Sequence, residues 1–122
     1  MRILIVEDYP DTRESFRHLV QIWSHHAEVA DNGIDGLGLT ENCEYDAVIL
    51  DVALPGLNGI EVGRGIARRA KRPYLIAYSG HSSHADRALT RDIRFDLHLA
   101  KGSIESIDLL EARLVRLSDG SI

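Results

Sequence analysis

The chain has 122 residues, 44% of them hydrophobic and 27% charged, with a formal net charge of −5. This is enough for one ordinary domain (residues 1–122) with a real core, and it is not the composition of a disordered chain. The negative charge argues against nucleic acid or an anionic membrane as the main partner, no apolar run is long enough for a bilayer, and a single cysteine, Cys43, leaves no internal disulfide.

Ile3–Val6 is a short β-branched run that reads as a buried strand, and Glu7-Asp8 follow it. Pro10 suits the first turn of a helix on which Phe16, Leu19, Val20 and Trp23 keep the i, i+3, i+4, i+7 spacing. His25 and His26 read as turn residues. Ala27–Ala30 is the weakest strand: HAEVA alternates with polar residues, as an edge strand does. Ile34–Asn42 is the poorest helix, because Gly36 and Gly38 each cost about 1 kcal/mol relative to Ala. Its GIDGLG has the wrong spacing for a dinucleotide fingerprint and follows the second strand.

Ala47–Leu50 is the third strand, and Asp51 stands at its end. Asn58 is expected to cap a helix from Gly59 to about Arg69, with Arg68, Arg69 and Lys71 gathered at the negative end of its dipole and Pro73 stopping it. The arginines from Arg64 to Arg72 read as a solvated face. Tyr74–Tyr78 is the fourth strand, followed by Ser79 and Gly80. Residues His84 to Arg91 read as a polar helix. In the fifth strand, Phe95–Leu99, alternation assigns Phe95, Leu97 and Leu99 to one face and Asp96 and His98 to the other. Ser103 is expected to cap a last helix carrying Ile107, Leu110, Leu114 and Leu117 on one stripe. The opening MRILIVEDYP turns acidic too early for a signal peptide, and the expectation is a cytoplasmic protein.

This alternation is (βα)₅, and buried β-branched strands favour a parallel sheet covered on both faces by helices. The expected fold is α/β, flavodoxin-like and doubly wound, with strand order 2-1-3-4-5. Functional groups then collect at the carboxyl ends of the strands. Glu7, Asp8, Asp51, Ser79 and Lys101 all stand at such ends. Crowded carboxylates repel one another, and a hard divalent cation such as Mg²⁺ resolves the conflict with oxygen ligands. A cation, a lysine and a hydroxyl around a carboxylate form a setting for a phosphoryl group, with Asp51 as its nucleophilic acceptor.

The blocks ILIVEDYPDTRESF, AVILDVALPGLNGIEV, LIAYSG and FDLHLAKG resemble, in order and spacing, the receiver domain of bacterial two-component response regulators. The resemblance implies that Asp51 is the phosphoacceptor and that the cofactor is Mg²⁺. Asp8 would be the more direct metal ligand, Glu7 would act mostly through water, and the Ala53 carbonyl would be a further ligand. Ser79 and Lys101 would bind phosphoryl oxygens together with backbone amides near Ala53 and Gly80, and Pro55-Gly56 would shape the loop. The implied donor is a histidine kinase or histidine phosphotransfer domain, and the implied response is a switch through Ser79 and His98 that alters partner binding.

Some positions depart from the family pattern. Gly102 stands where proline usually follows the lysine, which is expected to loosen that loop. His98 stands at the usual aromatic switch position, and Ser79 replaces the more frequent Thr. Ala53 and His81 occupy two positions that influence phosphoryl loss in the family. FDLHLAKG is similar to the corresponding block of receivers attached to hybrid sensor kinases.

Other readings compete. An aspartate-nucleophile phosphohydrolase would need a second acid where Ala53 stands. A flavodoxin-like cofactor binder would need a hydroxyl- and glycine-rich loop where EDYPD stands. A degenerate receiver serving as a constitutive interaction module remains open because of Gly102 and His98. His81 and His84 lack the further ligands of a zinc site, and Cys43 has no basic neighbour in sequence to make it reactive.

Overall fold

Five parallel strands form one sheet in the computed structural model, which describes residues 1–53, 59–80 and 93–122. They are β1 (Arg2–Val6), β2 (His26–Ala30), β3 (Ala47–Asp51), β4 (Tyr74–Ser79) and β5 (Leu97–Ala100), in the order β2-β1-β3-β4-β5. Among the described residues the helices are α1 (Pro10–Ile22), α2 (Gly33–Asn42), α3 (Gly59–Ala67) and α4 (Ile104–Ser118). The expected doubly wound order is therefore observed. The expected helix over 84–91, the Asn58 cap, Pro55-Gly56, His81 and His84 lie outside the described residues.

Side-chain alternation divides the core between the two faces of the sheet. Ile3, Ile5, Ile49 and Ile76 meet Phe16 and Val20 of α1 and Leu110 and Leu114 of α4. Leu4, Val6, Val48, Leu50 and Leu75 meet Val62 and Ile66 of α3, with Leu37 and Leu39 of α2 packed against them. β3 is central and buried at every position, which is why its sequence runs apolar without alternating. Each fully buried Ile or Leu contributes about 1.5–3 kcal/mol relative to exposure.

Local signals mostly keep their places. Pro10 opens α1, and Ser103 accepts a hydrogen bond from the Ser106 amide at 3.3 Å. Asn32 caps α2 by accepting from the Asp35 amide at 2.8 Å. Gly36 of α2 has a packing reason: a Cβ there would sit 2.8 Å from a Val6 methyl, so the helix lies close on β1.

Three sequence readings are corrected. Phe95 does not share a face with Leu97 and Leu99. β5 begins only at Leu97, so alternation does not reach back to Phe95, which packs on the α3 side with its ring 5.5 Å from that of His98. His26 opens β2 and is not a turn residue. The arginines after α3 are not simply solvated: Arg69 pairs with Glu41 at 3.3 Å, and Arg72 donates to the carbonyls of Ile93 (2.8 Å) and Arg94 and pairs with Asp96 at 3.4 Å. Among the described residues, no helix is long and apolar enough to cross a membrane.

Candidate functional site

Parallel strands end on the same edge, so β1, β3, β4 and β5 deliver Glu7, Asp51, Ser79 and Lys101 to one place. Glu7, Asp8 and Asp51 each offer a carboxylate oxygen, and these atoms lie within 4.8 Å of one another. Asp51 is 2% exposed and Glu7 is 2% exposed, whereas Asp8 faces solvent. Asp51 accepts from the Lys101 ammonium at 3.1 Å through Oδ2 and from the Ala53 amide at 2.9 Å through Oδ1. A buried carboxylate with this cation and this amide is compensated.

Glu7 is less well served. Its Oε1 accepts from the Tyr9 amide at 3.2 Å, while its buried Oε2 has no hydrogen-bond partner. Burial and the adjacent Asp51 carboxylate push its pKa up to about 7, against the pull of Lys101. Burial works against the charge of Lys101, but its hydrogen bond to Asp51 and the attraction of Asp51 and Glu7 prevail and hold its pKa above the ordinary lysine value. The buried carboxylates thus share one ammonium, and the orphan oxygen of Glu7 leaves room in the electrostatics for a proton or a further cation.

The Glu7 shift has a measurable consequence. Its folded pKa near 7 exceeds the ordinary 4.5, so the folded chain holds a proton that the unfolded chain releases in between. The resulting stability is complete below about pH 4.5 and is lost as pH rises through 7. His25 opposes this trend, since burial lowers its pKa and its protonation costs stability in part of the same window. Glu7→Gln retains the acceptor for Tyr9 and isolates the effect. The metal-free wild-type protein should lose melting temperature relative to Glu7→Gln between pH 5 and pH 8. A pH-independent difference between the two proteins would count against a raised Glu7 pKa.

The other expected site residues fall as follows. Ser79 ends β4 half-buried, and its carbonyl accepts from the Lys101 amide at 2.8 Å. Gly80 lies beside the Lys101 stem: a Cβ there would stand 3.7 Å from Lys101 Cδ. Ala53 is exposed just past Asp51. His98 is exposed on β5, pointing away from Leu97 and Leu99.

Gly102 has φ +76°, a left-handed conformation that proline, with φ near −65°, cannot adopt. Two hydrogen bonds brace Ala100, the residue before Lys101. The buried Ser106 hydroxyl accepts from the Ala100 amide at 3.0 Å, and the Ser103 amide donates to the Ala100 carbonyl at 3.4 Å.

Sequence reading missed Arg13, Gly59 and Tyr78. Arg13 donates to the carbonyls of Glu7 (3.3 Å) and Asp8 (3.4 Å), steadying the acidic loop from one turn into α1. A Cβ on Gly59 would stand 2.2 Å from the Asp51 carbonyl oxygen and 2.3 Å from Val52 Cα, so the start of α3 lies directly on the backbone at Asp51 and Val52. A glycine inside the first turn of a helix, where it costs about 1 kcal/mol relative to Ala, was the available signal. Tyr78 carries its ring beside Lys101, 5.4 Å from Nζ to the centroid.

Residues 3–113 match the family described as the response regulator receiver domain. Over 101 residues the chain is 33% identical to the response regulator MprA of Mycobacterium sp. strain KMS, covering 83% of this chain and 44% of that protein. The chain therefore spans less than half the length of the curated relatives it matches. The receiver domain of Francisella response regulator 1452 superposes with TM-score 0.86 at 21% identity, covering 99% of this chain and 98% of that one. Chemotaxis protein CheY4 of Vibrio cholerae superposes with TM-score 0.85 at 19% identity, covering 95% and 97%. The receiver domain of sensor histidine kinase PA1611 of Pseudomonas aeruginosa, with a magnesium ion coordinated in its active-site cleft, gives TM-score 0.82 at 25% identity, covering 94% and 93%.

Proposed function

Because this chain belongs to the response regulator receiver domain family, we propose that it is a phosphorylation-dependent signalling switch with Asp51 as phosphoacceptor. The donor is the phosphohistidine of a histidine kinase or phosphotransfer protein. The observation that carries this reading is the buried Asp51 held by Lys101 at 3.1 Å beside two further carboxylates.

Asp51 attacks phosphorus through a carboxylate oxygen as the phosphorus–nitrogen bond of the donor breaks, and the electron pair leaves with the imidazole. The Ala53 amide fixes the rotation of the carboxylate by its hydrogen bond to Oδ1. Lys101 transfers its hydrogen bond to a phosphoryl oxygen, as does the Ser79 hydroxyl, with backbone amides near Ala53 and Gly80 completing the cradle. The residues suit Mg²⁺: all donors are hard oxygens, and Glu7 Oε2 is buried without a partner. Asp8, Asp51 and the Ala53 carbonyl would hold the ion directly, with Glu7 acting through water. When bound, Mg²⁺ supplies positive charge against the phosphoryl oxygens and relieves carboxylate repulsion.

The domain is thus a phosphoacceptor and not an enzyme acting on an external substrate. It works in the cytoplasm, without inserting in a membrane or binding nucleic acid itself. Phosphorylation draws Ser79 toward the phosphoryl group and lets His98 change position, altering the surface offered to an output partner. The similarity of FDLHLAKG to hybrid-kinase receivers favours a tethered setting for this module.

The test is incubation with Mg²⁺ and acetyl phosphate. One phosphoryl group mapped by mass spectrometry to Asp51 supports the reading, and no uptake with intact fold favours a constitutive interaction module. Lys101→Ala should slow uptake by at least about tenfold, the scale of a lost charged hydrogen bond. An unchanged rate would remove Lys101 from the phosphoryl site.

A further inference from the structure

Nothing in the phosphoacceptor reading uses the aromatic ring of Tyr78. Alternation along β4 turns Tyr78 and Ser79 to opposite faces. Tyr78 is the register partner of Asp51 on β3 and of Leu99 on β5, two residues before Lys101. Its carbonyl accepts from the Val52 amide at 3.1 Å, tying it to the chain just past the acceptor. Phe16 of α1 packs against its ring, with centroids 4.8 Å apart and planes at 88°.

From this seat the ring centroid lies 5.4 Å from Lys101 Nζ. That is inside the roughly 6 Å within which an aromatic face attracts a cation. The ammonium is therefore held between Asp51 Oδ2 at 3.1 Å and the Tyr78 ring. A lysine stem is flexible, and ordering it costs rotamer entropy. A second restraint lowers that cost without competing for the ammonium's hydrogen bonds. A carboxylate in the same place would draw Lys101 away from an incoming phosphoryl group. A neutral ring attracts the cation equally before and after transfer.

We propose that Tyr78 is a positioning residue that holds the Lys101 ammonium over Asp51 with its aromatic face, Phe16 fixing the ring. The inference rests on the reading of Lys101 as the phosphoryl-binding cation. The aromatic face acts here, and the hydroxyl does not.

The first measurement is the NMR shift of the Lys101 ε-methylene protons. They should lie upfield of ordinary lysine in the wild type and in Tyr78→Phe, and return to ordinary values in Tyr78→Leu. Ordinary shifts in the wild type overturn the proposal with no variant needed. The second is the rate of phosphoryl uptake from acetyl phosphate at saturating Mg²⁺. Tyr78→Leu should be slower by about three- to tenfold, and Tyr78→Phe within about twofold of wild type. If Tyr78→Leu does not fold, Tyr78→Met takes its place.

In a Lys101→Ala background, Tyr78→Leu should slow uptake no further. Fully additive losses would mean that Tyr78 does not act through Lys101, and would also overturn the proposal. A normal rate in Lys101→Ala alone would instead refute the role given to Lys101, and the proton shifts would still decide whether the ring holds it.

Discussion

Asp51→Asn is expected to take up no phosphoryl group from acetyl phosphate while retaining the fold. The side chains are nearly the same size, and the Asn carbonyl can accept from the Ala53 amide as Asp51 Oδ1 does at 2.9 Å. An amide is not a nucleophile toward phosphorus, so the chemistry disappears with the charge. Two electrostatic changes oppose each other in stability. Lys101 loses its partner at 3.1 Å but is one-third exposed and can turn to water. Glu7 loses the neighbouring carboxylate that helps raise its pKa. The melting temperature should therefore move little, and the Glu7 pKa should fall toward its ordinary value. Mass spectrometry after incubation with Mg²⁺ and acetyl phosphate reads the main effect. Equal labelling of the Asn variant would transfer the acceptor role to another carboxylate, with the exposed Asp8 first in line.

Gly59→Ala is expected to be the most damaging of the glycine-to-alanine changes at Gly36, Gly38, Gly59, Gly63 and Gly65, and Gly38→Ala a mildly stabilising one. A Cβ at Gly59 would meet the Asp51 carbonyl oxygen at 2.2 Å, Val52 Cα at 2.3 Å and Val52 C at 2.7 Å. All three are backbone atoms of Asp51 and Val52, which no rotamer change can move aside. The helix must retreat or that backbone must shift, at a cost of about 3 kcal/mol or more, the upper end for overpacking. That corresponds to a drop of about 10 °C in melting temperature. Because the displaced atoms belong to Asp51 and Val52, phosphoryl uptake should fall as well. Nothing lies within 4 Å of a Cβ at Gly38. There Ala gains about 0.5–1 kcal/mol from helix propensity and a stiffer unfolded chain. Thermal unfolding of the two variants side by side is the measurement. Similar melting temperatures would show that the start of α3 is not pressed on the backbone at Asp51 and Val52.

The inner strands were legible in the sequence because burial on both faces leaves an uninterrupted apolar run, as in Ile3–Val6 and Ala47–Leu50. The convergence of Glu7, Asp8, Asp51, Ser79 and Lys101 was legible for a related reason. In a parallel doubly wound sheet every strand ends on the same edge, so a residue's place after a strand already states its neighbourhood. Local capping by Ser103 and the opening of α1 at Pro10 needed only a few adjacent residues.

Tertiary structure decided the rest. Phe95 lies outside β5, so its face was set by where the strand begins and not by the alternation that assigned it. Arg69 and Arg72 were read as solvated, yet each reaches a partner more than twenty residues away in the chain. The glycine at 59, the orphaned oxygen of Glu7 and the ring of Tyr78 beside Lys101 likewise depend on atoms brought together across separate elements. Periodicity reports which face of its own element a residue occupies. The distance between two faces, and the charge one residue meets on another element, are set by strand register and by how closely each helix settles on the sheet.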